Sequence, residues 1–308
     1  MTTSINTPPV THIDEDLCTG CGLCVKVCPA QTLSLVDGKA RVTGPHSLRC
    51  GHCAAVCPED AVRVEDGDTS MGQLATLDAP KSETREAVAN TPSPESLLAL
   101  LRKRRSCRVY KSTAVSRDLL EDLIKIGVTA PSGTNCQPWF FHVLSHRAAV
   151  EALGQKVAGF YRALNWISSR KVARAASKLV PGDPLGAYYR EFYETVEEGL
   201  RQFESQGRDR LFHGAPACIL VGATPGASTP RDDALLATQN ILLAAESLGL
   251  GTCLIGLAVE AIRHDPRIRK HLGLKSNSPI YAVIALGHPQ TTYISGVSRR
   301  RPPITWHA

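Results

Sequence analysis

The sequence predicts an α+β protein in two parts, a small cysteine-rich module at residues 1–65 and a larger mixed domain at residues 95–308, joined by a linker at 66–94. Three observations carry that expectation. Seven cysteines crowd into residues 18 to 57 in runs of one spacing. Residues 66–94 are poor in bulky apolar side chains and rich in Ser, Thr, Pro and charge, the composition of a connector or of a strip laid along a neighbour. Beyond them, long helical patterns alternate with short continuous apolar runs, as buried strands between helices read.

Taken in order, Thr32–Leu35 and Ala40–Val42 alternate about Asp37-Gly38, which predicts a hairpin. Ser96 precedes Leu97, Leu98, Leu100 and Leu101 and is the expected helix cap; Arg117 to Val128 repeats apolar residues at helical spacing. Phe140 to Leu144 reads as a strand. Residues 150–212 read as helices broken near Pro181-Gly182-Asp183-Pro184. Ala217–Ala223 and Ile280–Leu286 suit buried strands, and Asp232–Leu248 a long helix ending at Gly249.

Charged residues make up 21% of the chain and hydrophobic ones 43%, ordinary usage that excludes global disorder. The net charge of +6 arises from local clusters, Arg102 to Arg105 and Arg299 to Arg301, which suit a small phosphate better than a nucleic-acid groove. No apolar stretch approaches a membrane span and the N-terminus lacks a signal pattern. A cytoplasmic protein without membrane or nucleic-acid partners is expected.

Cys18-x-x-Cys21-x-x-Cys24-x-x-x-Cys28-Pro29 aligns with Ser47-x-x-Cys50-x-x-Cys53-x-x-x-Cys57-Pro58 at an offset of 29. Thiolates bind soft iron, and such a loop can wrap three sulfurs around a cubane; zinc also uses C-x-x-C pairs, but two proline-terminated runs favour iron. The pattern resembles bacterial two-cluster ferredoxins, in which the fourth cysteine of each run serves the other cluster. The resemblance implies a first [4Fe–4S] cluster on Cys18, Cys21, Cys24 and Cys57, and leaves Cys28, Cys50 and Cys53 for a second. Ser47 stands where the last ligand is expected. Ser47 itself, His46, water, or loss of one iron to give [3Fe–4S] instead of [4Fe–4S] are the alternatives.

A second constellation comprises Lys103 to Tyr110, Ala130 to Trp139, Gly249 to Gly256, Gly287-His288-Pro289 and Ser298 to Pro303. Arginines with a hydroxyl suit a phosphate and a polar chain. These segments, in this order, resemble the FMN-dependent nitroreductase family across roughly residues 95–306. The resemblance implies an α/β/α sandwich around a mostly antiparallel sheet. It implies that Arg104, Arg105, Ser106, Arg108 and Arg300, with Arg299 less firmly, hold the FMN phosphate and ribityl chain. Pro131, Ser132, Gly133 and Asn135 would line the isoalloxazine edge, and Leu254, Ile255 and Gly256 would lie near N5. A homodimer with FMN at its interface is implied as well.

Tyr161, Trp166, Tyr188, Tyr189 and Arg190 are candidate substrate contacts, each better explained singly by packing. Cys107, Cys136, Cys218 and Cys253 read as buried small hydrophobes, and His142, His213 and His288 as structural. No catalytic side chain stands out, so flavin N5 is the expected reactive centre. Clusters pass single electrons and a flavin holds one or two, so the expected function is reduction of a small nitroaromatic, quinone or conjugated substrate by electrons from an external donor such as ferredoxin. NAD(P)H-driven flavin reduction with structural or regulatory clusters, or an electron carrier or redox sensor, are the competing expectations.

Overall fold

In the computed structural model, which describes residues 8–65, 67–78 and 91–307, the cysteine-rich module is two antiparallel pairs enclosing two one-turn helices. Strand β1 (Thr11–Ile13) pairs with β4 (Val62–Val64), closing the module end to end. β2 (Leu33–Val36) and β3 (Lys39–Val42) form the expected hairpin, register Val36 to Lys39. Its two-residue turn has positive φ at both Asp37 (51°) and Gly38 (75°), the form that matches strand twist. Helices α1 (Leu23–Lys26) and α2 (His52–Ala55) carry Cys24 and Cys53. Leu33, Ala40, Ala61 and Val62 with Cys18 and Cys24 make a small core.

The larger domain is built on one sheet of order β5-β6-β8-β7, all pairs antiparallel. β6 (Ala217–Ala223) and β8 (Ile280–Gly287) are central, β5 (Trp139–Leu144) and β7 (Gly251–Leu254) are the edges. Side chains alternate between two apolar layers: Cys218, Leu220, Val283 and Ala285 enter one, Ile219, Val221, Ile284 and Leu286 the other. Because both faces are covered, the strands read as unbroken apolar runs. α4 (Arg117–Gly127) and α9 (Pro230–Ser247) cover one face. α5 (Arg147–Ser168), α8 (Tyr193–Gln206), α10 (Gly256–His264) and α11 (Pro266–His271) cover the other. Two short helices, α6 (Lys171–Ser177) and α7 (Pro184–Glu191), bridge α5 and α8 around the expected break. The expected sandwich with its antiparallel sheet is present.

Helix α3 (Pro94–Lys103) begins ahead of the expected cap. Ser93, not Ser96, caps it, accepting from the Ser96 amide at 3.2 Å, because Pro94 fits the first helical position, where no amide donor is needed.

Part of the stretch read as a linker is held against the larger domain. Residues 66 and 79–90 lie outside the described residues, but 73–76 are fastened to α4. The buried Asp122 carboxylate accepts from the amides of Ala75 (2.9 Å) and Thr76 (2.7 Å) and from the Thr76 hydroxyl (2.6 Å). Lys125 Nζ donates to the Gln73 carbonyl at 2.9 Å. Burial opposes ionisation of Asp122, yet the Thr76 hydroxyl and the two amides outweigh it and hold its pKa below the ordinary carboxylate value. A lowered folded pKa means this stabilisation is complete above the unfolded value and is lost as pH falls through the folded one. Asp122→Asn is expected to cost about 1–3 kcal/mol near neutrality and to narrow the gap from the wild type as the solution is acidified. Urea unfolding at neutral and acid pH checks this, and a gap constant across pH would refute the charge's role.

Candidate cofactor sites

The repeat seen in the cysteine spacing extends to the backbone. Left-handed residues recur at the same offset: Gly20 and Arg49, Gly22 and Gly51, Gln31 and Asp60. Gly20 is required, since a Cβ there would lie 2.0 Å from the Gly38 carbonyl oxygen. Sulfur hydrogen bonds repeat too, with Thr32 N–H donating to Cys28 Sγ and Ala61 N–H to Cys57 Sγ, both at 3.3 Å.

The thiols fall into two groups. Burial pushes the Cys24 thiol up, with charge on Cys18 and Cys21 adding to the effect. Burial does the same at Cys53, where Cys28 and Cys50 are the charged neighbours. At Cys28 burial acts in the same direction, but hydrogen bonds led by Thr32 outweigh it and lower the pKa. Cys28, Cys50, Cys53 and Ser47 line one recess with Leu48 and Arg49, a second thiol recess that Cys18, Cys21, Cys24 and Cys57 do not line. Among the described residues no three His, Cys, Asp or Glu side chains converge as a single-ion site requires. Thiols spread around a recess, with amides donating to sulfur, fit the corners of an iron–sulfur cluster.

The second site lies at the β7 edge. Cys107 N–H donates to the Thr252 carbonyl at 2.8 Å and Ser106 bridges Thr252, so residues 104–108 lie along that strand. On the other side Lys111 N–H donates to His288 O and Gln290 N–H to Val109 O. Tyr110 fixes the turn, its hydroxyl 2.8 Å from the Cys107 carbonyl, and burial pushes its pKa up. The result is a recess of about 360 Å³ lined by Arg104, Arg105, Ser106, Arg108 and Arg299 with Tyr293 and Val297. Lys103 pairs with Glu246, but among the described residues no carboxylate pairs with these four arginines. Uncompensated guanidiniums beside a hydroxyl fit a phosphate dianion. Of the two expected C-terminal contributors, both exposed, Arg299 lines the recess and Arg300 does not.

Leu254 is exposed and Gly256 opens α10, where first-turn amides lack intrahelical acceptors. Ile255 departs from expectation. Its side chain is buried in the core and its amide donates to Val283 O at 2.8 Å, because it continues the β7 pairing for one residue.

Pro131, Ser132, Gly133 and Asn135 do not line the basic recess of the same chain. Their loop is held by Asp233 on α9, a residue the sequence reading missed. The Asp233 carboxylate accepts from Gly133 N–H (2.9 Å), the Thr229 hydroxyl (2.9 Å) and the Cys136 thiol (3.6 Å), and its carbonyl accepts from Trp139 Nε1 (2.9 Å). In sequence, Asp233 reads as one of two acidic residues in a first helical turn, which complements the helix dipole without marking a distant partner. Thr134, Asn135 and Gln137 all have positive φ, uncommon for non-glycine residues and typical of functional loops. Asn135 Nδ2 donates across the module boundary to the carbonyls of Leu48 (3.3 Å) and Arg49 (3.1 Å), both in the second thiol recess.

The remaining candidates are largely structural. Tyr161 is buried and donates to the Leu257 carbonyl at 2.9 Å; the Tyr188 hydroxyl donates to Asn165 Oδ1 at 2.6 Å. Trp166 is exposed beneath the Arg170 guanidinium, Tyr189 carries Arg174 over its ring, and Arg190 pairs with Asp183. Burial lowers the pKa of His142, and burial with Arg108 lowers that of His213. Cys107, Cys136, Cys218 and Cys253 are buried. An apolar cavity of about 140 Å³ between α5 and α8 shares no residue with either recess.

The profile described as the nitroreductase family matches residues 101–288, and that of a 4Fe-4S binding domain matches residues 11–34. The chain is 29% identical to a 4-nitrobenzoate reductase of Nocardioides sp. (strain LMS-CY), over 74% of this chain and 95% of that one. It is also 29% identical to an NADH dehydrogenase of Thermus thermophilus, over 61% of this chain and 83% of the other. A solved nitroreductase with bound FMN from Bacteroides fragilis NCTC 9343 aligns at TM-score 0.52 and 21% identity, over 71% of this chain and 100% of that one, and shares its fold. With a profile spanning more than half of its length, the chain belongs to the nitroreductase family.

Proposed function

We propose that the chain is an FMN- and iron–sulfur-dependent oxidoreductase that receives electrons through its N-terminal module and reduces a small nitroaromatic, quinone or conjugated compound. The observation that carries the electron route is the contact of Asn135 with the Leu48 and Arg49 carbonyls, which joins the proposed flavin-edge loop to the second thiol recess. Arg104, Arg105, Ser106, Arg108 and Arg299 bind the phosphate and the polar chain next to it. Asp233 orients the loop of Ser132 and Gly133, and Gly256 presents an amide at a helix N-terminus. When bound, the flavin supplies a centre that accepts electrons singly and passes them on as a hydride. With His142 and His213 biased toward the neutral form, no side chain is assigned as proton donor.

The site spans two chains in this reading, since Pro131 to Asn135 line no recess with the arginines of their own chain. Exposed apolar side chains support a homodimer: Leu97, Leu98 and Leu101 on α3, and Ile294 and Trp306 beyond β8. In this reading the iron–sulfur module spans 1–65 and the flavin domain 95–308, with 73–76 held on the flavin domain's surface.

A second reading has NADH or NADPH reduce the flavin directly, and the name of the Thermus relative favours it. Anaerobic reduction of cluster-loaded protein separates the two. Reduced ferredoxin is expected to bleach the flavin absorption rapidly, NADPH slowly, and Cys21→Ala to abolish the ferredoxin-driven phase. Rapid bleaching by NADPH that Cys21→Ala leaves unchanged would overturn the electron relay.

A further inference from the structure

We propose that the Ser47 hydroxyl oxygen is the fourth protein ligand of a [4Fe–4S] cluster in the second thiol recess, alongside Cys28, Cys50 and Cys53. The assignment rests on the two-cluster reading above and goes beyond it by naming the group at the fourth iron.

The backbone repeat places Ser47 where Cys18 stands in the first loop. Left-handed residues follow each position at the same distances, Gly20 and Gly22 after Cys18, Arg49 and Gly51 after Ser47. A one-turn helix follows in both loops, bearing Cys24 and Cys53. Burial matches as well, with Ser47 at 7% exposure and Cys18 at 9%. Ser47 lines the recess together with the three thiols.

His46 is not placed to compete. It is exposed and does not line the recess. Its carbonyl accepts from the Thr32 hydroxyl at 2.7 Å, which fixes the chain direction just before Ser47.

The oxygen is also prepared to bear charge. Ser47 Oγ accepts from Arg49 N–H at 3.0 Å, as the sulfurs of Cys18, Cys28 and Cys57 accept from the amides of Ala40, Thr32 and Ala61. A donor aimed at the atom favours its anionic form. On ligation the Ser47 O–H bond breaks, its proton leaves to solvent, and an Fe–O bond replaces iron-bound water. No electron changes hands. An alkoxide is a harder donor than a thiolate and favours the more oxidised cluster, so this centre has a lower potential than a four-cysteine version of itself.

The test uses full-length protein reconstituted anaerobically with iron and sulfide, comparing wild type with Ser47→Ala, Ser47→Cys and His46→Ala. Iron analysis and electron paramagnetic resonance are the readouts, with flavin content as the check on folding. Wild type, Ser47→Cys and His46→Ala are expected to hold about eight irons per chain, two four-iron clusters. Ser47→Ala is expected to fall to about seven, with the signal of an oxidised three-iron cluster. Ser47→Cys is expected to raise the potential of one cluster and leave the other unchanged. A wild type that already carries the three-iron signal, a Ser47→Ala protein indistinguishable from wild type, or loss of iron in His46→Ala would each overturn the assignment while leaving two clusters in place. About four irons in every variant would instead remove the second cluster, and with it the two-cluster reading.

Discussion

Arg105→Ala is expected to weaken FMN binding by about a hundredfold while leaving riboflavin binding nearly unchanged. The recess gathers Arg104, Arg105, Arg108 and Arg299 around Ser106, and among the described residues none of the four is paired with a carboxylate. A guanidinium contributes up to two parallel charge-assisted hydrogen bonds to a phosphate, and losing them costs roughly 3 kcal/mol, which is about a hundredfold or slightly more in affinity. Arg105 is an informative one of the four because it lines the recess together with Tyr293, Val297 and Arg299 of the C-terminal segment. Fluorescence titration of the apoprotein with the two flavins measures the effect. Equal losses for FMN and riboflavin would show that Arg105 supports the ring or the fold, not the phosphate. Arg105→Lys is expected to recover only part of the affinity, since an ammonium lacks the planar fork.

Asp233→Ala is expected to destabilise the protein by about 3 kcal/mol, because it strands the Gly133 amide and the Thr229 hydroxyl without the carboxylate that accepts from both. For a domain of this size that corresponds to a fall of roughly 6–12 °C in Tm. Local loosening is expected to exceed the global loss. The loop from Ser132 to Cys136 contains left-handed non-glycine residues and is tied to α9 through this carboxylate. Thermal unfolding with hydrogen exchange at the Gly133 amide checks both parts. A Tm within about a degree of wild type, or exchange at Gly133 no faster than before, would remove Asp233 from its role as the anchor of the loop.

Much of the fold was legible because local rules and burial agree. The runs at 217–223 and 280–286 read as strands because both faces are covered, and the helix ending at Gly249 carries its own left-handed stop. What was missed depends on partners distant in sequence. Asp233 acts on Gly133, one hundred positions away. Thr76 finds Asp122 across the domain surface. Strand β7 is not legible in the sequence because four residues beginning with glycine carry no alternation, and pairing with β8 decides their conformation. The cap of α3 lies three residues before the expected one because Ser93 and Ser96 are both good caps and Pro94 decides between them. In the candidate sites, cysteine spacing and arginine clusters were readable as chemistry. The contact between Asn135 and Leu48 was not, since neither residue type announces a partner in another module.

That contact has a kinetic consequence, together with the fastening of 73–76 to α4. A donor module swinging on a loose tether meets its acceptor at a rate set by tether length and local concentration. Here the two modules touch through Asn135, so under the proposed electron route transfer between them would need no diffusive search, and moderate salt is expected to leave its rate unchanged. Under the same proposal, sensitivity to ionic strength is expected in the encounter with the external donor.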